Sequence, residues 1–164
     1  MKLIYIIILL FTINRVSAQT LNPGLEINKI YEFKLQTING IHIDSEKDLK
    51  GKIIVLNFWF IGCQPCLKEI PELNSLTIQY DSSKISFIAI SPTDSKEALD
   101  YVQKRLKMKF LLVGPNPSIA KNFNVNDFPV NIILDKEHRL VFFKRGYAEN
   151  NITEANAILK EIAH

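Results

Sequence analysis

IIVLNFWFIGCQPC, residues 53–66, is the stretch that decides the fold of this chain of 164 residues. It begins with a continuous apolar, β-branched run, which is typical of a central strand covered on both faces. The run leads into Cys63 and Cys66, the only two cysteines of the sequence. We expect a helix to begin at this pair, where its partial positive charge and free N–H groups would favour a thiolate. The second sulfur could then release a mixed disulfide formed by the first, so the spacing predicts reversible dithiol chemistry.

Two other uses of a cysteine pair fit the sequence less well. A structural disulfide stabilises most when it closes a long loop, whereas this one would enclose two residues. A structural zinc site normally has four Cys or His ligands, and His42, His138 and His164 are each isolated in the sequence. The pattern therefore favours redox chemistry, and we expect no metal and no cofactor other than the cysteine pair itself.

The N-terminus has the pattern of a secretory signal peptide. A basic start is followed by an apolar run within residues 3–13 and by small residues up to Ala18. The run is much shorter than the about 20 residues of a spanning helix, which disfavours an uncleaved membrane anchor. We predict a signal peptide over residues 1–18 and a single exported, periplasmic domain over residues 19–164.

The charge of the chain does not indicate a nucleic-acid partner. The formal net charge is +3, and the charges are interspersed apart from a basic run at residues 104–109. Such a run is typical of the solvated C-terminal end of a helix, where cations suit the dipole. Nucleic acid is also an unexpected partner for an exported protein.

Alternating strands and helices predict an α/β domain. The Asn39-Gly40 turn signal between two alternating segments predicts an N-terminal β-hairpin. Pro71 lies inside the helix that follows the cysteines, where we expect a kink. A mixed central sheet between helices is the expected architecture. We predict strands at 31–35, 41–43, 52–58, 85–91, 110–113, 130–135 and 140–143, and helices at 64–80, 96–107, 118–123 and 153–163.

The chain resembles the TlpA/ResA/DsbE-like branch of the thioredoxin superfamily. The resemblance rests on residues 55–59, on Cys63-Gln64-Pro65-Cys66, on residues 67–71 and on Phe128-Pro129 before residues 130–135. The combined pattern N-F-W-x(3)-C-x-P-C-x-x-E-x-P is far more specific than a bare C-x-x-C. The resemblance implies a thioredoxin-like α/β fold, a mixed central β-sheet flanked by helices, with an N-terminal β-hairpin extension.

The resemblance also implies roles for individual residues. Cys63 matches the exposed attacking cysteine and Cys66 the more buried resolving cysteine. Pro129 matches the proline that is cis in this fold, and the backbone beside it would pair with an incoming polypeptide. The substrate-binding residues expected on this basis are Trp59, Gln64, Pro65, Phe128 and Pro129.

Asn57 and Glu69 stand out as polar residues near the cysteines. In thioredoxins proper an Asp occupies the position of Asn57, and Asn cannot titrate. The resemblance implies that Glu69 takes over proton transfer for the resolving thiol. Glu69 follows Cys66 by three residues, so both can share one helix face, and burial would raise the pKa of the carboxyl. The alternative is a surface glutamate that favours the helix dipole.

The resemblance implies an enzyme, a protein-disulfide oxidoreductase that reduces client proteins and is itself reduced by a membrane-embedded thiol electron donor. The chain departs from the pattern at Gly62, because relatives usually have an aromatic residue directly before the first cysteine. Two alternatives remain at this stage. A thiol peroxidase would need a P-x-x-x-T-x-x-C motif, which is missing. A copper-delivery protein of this fold would use two cysteines with three residues between them and a distant histidine, whereas two residues lie between Cys63 and Cys66 and His138 lies in an expected hairpin turn.

Overall fold

The computed structural model describes residues 24–163, so the predicted signal peptide lies outside the described residues. Local sequence determines most of the elements: apolar β-branched runs form the strands, and amphipathic segments behind polar capping residues form the helices. In chain order the elements are β1 (Lys34–Gln36), β2 (His42–Asp44), α1 (Ser45–Asp48), β3 (Ile53–Phe58), α2 (Gln64–Gln79), β4 (Ile85–Ile90), α3 (Lys96–Leu106), β5 (Leu111–Val113), α4 (Pro117–Asn122), β6 (Val130–Leu134), β7 (Leu140–Arg145) and α5 (Asn151–Ile162).

A five-stranded mixed sheet with the order β5-β4-β3-β6-β7 carries the domain. β3 pairs in parallel with β4, and their connection passes through α2, as a parallel crossover requires. On its other side β3 pairs antiparallel with β6, in a register that places Asn57 opposite Asn131. Both sheet faces are covered: Val55 contributes to one core cluster and Leu56 to the other. This double burial explains the unbroken apolar run, and it confirms the predicted mixed sheet flanked by helices.

The predicted N-terminal hairpin is confirmed as β1 and β2, which pair antiparallel. The hairpin is attached to the edge of the main sheet, because the Ile38 N–H donates to the Leu112 carbonyl (2.9 Å). Its apolar side chains Phe33, Leu35 and Ile43 are buried in the same core cluster as β3. The extension is therefore part of the domain core.

The structure differs from the predicted elements in two local details. The segment between β2 and β3, where no element was predicted, contains the single-turn helix α1, whose N-terminus is capped by the Asp44 side chain. α4 begins at Pro117, one residue before the predicted start, because the Asn116 side chain caps it by accepting the Ile119 N–H (3.2 Å). α2 runs as one helix through Pro71, and the kink expected there stays a prediction. Among residues 24–163 there is no helix with the length and apolar character needed to span a bilayer.

Candidate active site

The cysteine pair lies at the turn between β3 and α2. The chain follows the sheet for one residue beyond β3, because the Trp59 N–H donates to the Ile90 carbonyl (3.1 Å). It then turns so that the Cys63 N–H donates to the Phe60 carbonyl (3.1 Å), and α2 begins at Gln64. Cys63 is therefore the N-cap residue of α2, where backbone N–H groups are free to act on sulfur.

Cys63 and Cys66 are joined by a disulfide bond, with 5.2 Å between their Cα atoms. The Cys66 N–H points at the Cys63 Sγ (3.2 Å), a contact that would strengthen if this sulfur were a thiolate. Both residues are buried, and Cys63, at 4% exposed, lies slightly nearer the surface than Cys66 at 1%. The residues around Cys63 are exposed: Gly62, Gln64 and Pro65. A polypeptide can thus reach the rim of the turn, while Cys66 lies beneath it.

The Phe128-Pro129 loop lies beside this turn. The peptide bond between the two residues is cis, and Pro129 is buried. The Phe128 ring packs edge-on against the Phe60 ring, with 5.4 Å between centroids, and both rings pack on the core cluster that contains the cysteines. The Pro129 carbonyl already accepts the Gly146 N–H (2.8 Å). Proline also lacks an N–H, so the Phe128 backbone is better placed than that of Pro129 to pair with a visiting chain.

Gly62 leaves room for the Phe60 ring. A Cβ atom on Gly62 would lie 3.2 Å from Cε2 of Phe60, which is closer than an ordinary van der Waals contact. The aromatic surface next to Cys63 is consequently formed by Phe60 and Phe128, and not by a side chain at position 62.

Glu69 is completely buried one helical turn beyond Cys66. Its two carboxyl oxygens accept from two amides, Asn57 Nδ2 at 2.7 Å and Asn131 Nδ2 at 3.0 Å. Asn57 Nδ2 also donates to Asn131 Oδ1 (2.9 Å), which closes the triad. Burial raises the pKa of Glu69 from 4.5 to about 7, although both amide hydrogen bonds oppose the rise and the charge of Glu72 adds to it. The carboxyl can therefore exchange a proton near neutral pH.

A sequence model of the AhpC/TSA family matches residues 27–143. The chain belongs to the AhpC/TSA family. Thiol-disulfide oxidoreductase ResA of Bacillus cereus (strain ATCC 10987 / NRS 248) is 28% identical over 170 residues, covering 98% of this chain and 96% of ResA. ResA of a second Bacillus cereus strain is 32% identical over 96 residues, which cover 58% of this chain and just over half, 56%, of that relative.

Solved structures of similar shape support the fold of this AhpC/TSA family member. A thioredoxin family thiol:disulfide interchange protein of Chlorobium tepidum TLS gives a TM-score of 0.72 at 19% identity, covering 85% of this chain and 98% of that one. StoA of Bacillus subtilis gives 0.64 at 20% identity, covering 79% and 97%. The family, the thioredoxin-like fold and the cysteine pair are together those of a protein-disulfide oxidoreductase, which agrees with the resemblance inferred from the sequence.

Asn131 is the site residue that the sequence analysis missed. It is a single amide within the apolar run of β6, and it is 2% exposed. A lone polar residue in a fully buried strand must find a partner inside the core, and that is the signal that could have identified it. Its partner Glu69 is remote in sequence, so only the register of β6 against β3 brings the two together.

Trp59 lies beneath the site and not on its rim. The side chain is 0% exposed and belongs to the same core cluster as both cysteines. Its indole Nε1 has no hydrogen-bond partner among the described residues. The ring therefore offers no surface to a client in this state, unlike the exposed residues Gln64 and Pro65.

The histidines within the described residues lie away from the cysteines. His138 is buried in the β6–β7 turn with Nε2 3.1 Å from the Leu49 carbonyl, and His42 pairs with Gln36 on the exposed hairpin. Over residues 24–163 no three His, Cys, Asp or Glu side chains form a group suited to a metal ion.

Proposed function

We propose that the protein is an exported thiol–disulfide oxidoreductase that reduces disulfide bonds in client proteins. The observation that carries the proposal is the bonded Cys63–Cys66 pair at the N-terminus of α2, next to an exposed rim and above a buried carboxyl. The similarity to ResA across nearly the whole chain supports the same chemistry.

The reaction begins with the reduced pair. The Cys63 thiolate attacks one sulfur of a client disulfide, an S–S bond forms between protein and client, and the other client sulfur leaves as a thiolate that takes up a proton. The Cys66 thiolate then attacks the Cys63 sulfur and displaces the second client sulfur. Two electrons have passed from the pair to the client, which ends as a dithiol while Cys63 and Cys66 end as the disulfide.

Glu69 accepts the proton of the Cys66 thiol before the second attack. Cys66 and Glu69 are both buried on α2 and stand three residues apart, which places them on the same helix face. Bulk water cannot reach Cys66, so an internal base is needed, and a carboxyl with a pKa of about 7 suits this task near neutral pH. The proton leaves Glu69 again when the pair is re-reduced and Cys66 recovers its own.

The client contacts the exposed rim of the turn. Gln64 and Pro65 offer uncharged surface next to Cys63, and the half-buried Phe128 ring packs against Phe60, three residues before Cys63. Buried Pro129 sets the path of this loop, and buried Trp59 supports the turn from below. Only disulfide-containing polypeptides that can lie across this rim would be clients.

Export and electron supply complete the proposal. A signal peptide over residues 1–18, cleaved after Ala18, would deliver the domain of residues 19–164 to the periplasm. The oxidised pair would be re-reduced there by a membrane-embedded thiol electron donor. Cleavage is testable by N-terminal sequencing of the protein recovered from a cell envelope fraction, where Gln19 is the expected first residue.

Insulin reduction tests the activity. We expect catalysis by the wild type in the presence of dithiothreitol, and loss of catalysis in Cys63→Ser, because this variant cannot form the mixed disulfide. Cys66→Ser should accumulate a covalent complex with the client, since the resolving thiol is missing. Full activity of Cys63→Ser would sink the proposal. Peroxide consumption that depends on Cys63, without insulin reduction, would instead support a thiol peroxidase, and tight copper binding by the reduced pair would support copper delivery.

A further inference from the structure

Asp94, in the loop between β4 and α3, is hydrogen-bonded to the active-site turn. Its Oδ2 atom accepts the Ile61 N–H at 2.8 Å and the Ser91 hydroxyl at 2.8 Å. The Ser91 Oγ in turn accepts the Asp94 N–H at 3.1 Å. One carboxylate oxygen therefore joins the backbone two residues before Cys63 to the loop after β4, and hydrogen bonds to a charged acceptor of this kind are among the stronger ones.

Ser91 anchors the Asp94 carboxylate to the sheet. It is 0% exposed, its N–H donates to the Val113 carbonyl (2.8 Å), and its carbonyl accepts the Asn116 N–H (3.2 Å). Ser91 is thus held by the edge strand β5 and by the residue that caps α4. The position of the Asp94 carboxylate is therefore fixed through Ser91 by the main sheet.

The turn before Cys63 is held at two separate points. The first is the Trp59 N–H on the Ile90 carbonyl, which prolongs the β3–β4 pairing, and the second is the Ile61 N–H on Asp94. Phe60 lies between these points, and its carbonyl accepts the Cys63 N–H. The Ile61 N–H and the Phe60 carbonyl belong to the same peptide group. Asp94 therefore fixes the group that holds the Cys63 N–H.

We propose that Asp94 is a positioning residue that holds Cys63 at the N-terminus of α2 when the Cys63–Cys66 bond is open. In the disulfide the S–S bond itself restrains Cys63. In the dithiol the Leu67 N–H on the Cys63 carbonyl (3.1 Å) still joins Cys63 to the helix, and the contacts of the turn hold Cys63 from the other side, so that its sulfur stays near the Cys66 N–H. A preorganised nucleophile is what the first attack requires. The inference rests on the proposed function in that it concerns the same cysteine.

Two effects of Asp94 on the Cys63 thiol must be separated. The negative charge disfavours a nearby thiolate, whereas the tether favours the thiolate by keeping it at the helix N-terminus. Asp94→Asn removes the charge and retains an oxygen that can accept from Ile61 and Ser91. Asp94→Ala removes both charge and acceptor. The other titratable groups of the site, Cys66 and Glu69, are identical in the two variants.

The decisive measurement is the pH midpoint of Cys63 alkylation by iodoacetamide in the reduced protein, read for Asp94→Ala against Asp94→Asn. We expect a midpoint at least about half a pKa unit higher in the alanine variant, which corresponds to about a threefold loss of thiolate on the low-pH side. Insulin reduction should fall in the alanine variant by a similar factor or more and be rescued in the asparagine variant. Ser95→Ala is the matched control, because Ser95 caps α3 through the Ala98 N–H without touching the turn.

Equal midpoints for the two Asp94 variants would overturn the inference, and so would a shift of the same size in the control. Ser91→Ala weakens the anchor but keeps the Asp94 charge and the Ile61 contact, so it should raise the Cys63 midpoint relative to the wild type, by less than the difference between the two Asp94 variants. This comparison carries the test if Asp94→Ala does not fold. The alkylation comparison needs no client. A wild type that reduces no disulfide would therefore refute the proposed function and leave the positioning role open to this measurement.

Discussion

Replacing Glu69 with Gln should remove a pH dependence of stability that the buried carboxyl creates. Gln keeps the length of the side chain and one carbonyl oxygen, so the Asn57 amide can still donate to position 69. It removes the only group of the triad that titrates. Any difference in pH dependence between wild type and variant therefore reports the ionisation of Glu69.

The sign and size follow from the pKa of about 7 in the folded protein against 4.5 for an ordinary glutamate. Between these pH values the native state keeps its proton while the unfolded state has lost it, so the free energy of unfolding falls as pH rises. The stabilisation is complete below pH 4.5 and absent above about pH 7. At about 1.4 kcal/mol for each pKa unit the total loss is about 3 kcal/mol.

Urea unfolding of the oxidised protein between pH 4 and 8 measures this quantity, because the disulfide state is then constant. We expect the stability of the wild type relative to Glu69→Gln to fall by about 3 kcal/mol across the window. The carboxyl carbon shift of Glu69 in a labelled sample should titrate with a midpoint of about 7. Glu161→Gln, an exposed change near the end of α5, is the control and should preserve the pH dependence of the wild type.

A parallel pair of stability curves would refute the reasoning. It would mean that Glu69 ionises at the same pH in the folded and unfolded states, in spite of its complete burial. The proposed proton transfer from Cys66 would then lose its physical basis. Insulin reduction by Glu69→Gln then shows whether the residue matters in another way. A slower reaction, together with parallel stability curves, would assign Glu69 a role in the geometry of the site alone.

Two other changes test the structure around the site. Asn131→Leu removes one amide donor from Glu69, so we expect the pKa of Glu69 to rise further, measured by the same carboxyl carbon titration; an unchanged or lower midpoint would contradict the hydrogen bond. Gly114→Ala would place a Cβ atom 2.6 Å from Leu99 Cδ1 and 2.7 Å from the Ser91 carbonyl oxygen, a backbone atom that cannot rotate away, so we expect a loss of about 3 kcal/mol in urea unfolding, the upper end for overpacking. Gly40→Ala is its control, since the new Cβ atom meets nothing within 4 Å and only the left-handed backbone costs about 1–2 kcal/mol; an equal or larger loss in the control would contradict the packing argument.

The sequence predicted the elements that local chemistry determines. β3 forms from a continuous apolar run, and α2 begins at the cysteine pair. The predicted bounds of both elements agree with the structure within one residue. The first hairpin follows from the Asn39-Gly40 turn. These features depend on neighbours in sequence, for which propensity and periodicity are sufficient.

The hydrogen bonds of Glu69 and of the turn before Cys63 depend on how distant segments pack together, which the sequence does not reveal. Asn131 reaches Glu69 because β6 pairs with β3 in the register that sets it opposite Asn57. The sequence assigns no role to Asp94, and its contact with Ile61 exists because the loop after β4 passes the end of β3. The partners are 62 residues apart for Glu69 and Asn131 and 33 residues apart for Ile61 and Asp94, so local sequence patterns cannot predict either hydrogen bond.

An amide at position 57 suits an acid placed at position 69 on the helix. The Asn57 side chain approaches the Glu69 carboxyl to 2.7 Å inside the core. An aspartate at this position would set two carboxyls side by side, and like charges in a buried site cannot both ionise, so their titrations would separate and couple. An amide donates to the Glu69 carboxylate without titrating. The core then holds one carboxyl that can take or give one proton, which is the number that the proposed reaction requires at Cys66 in each round.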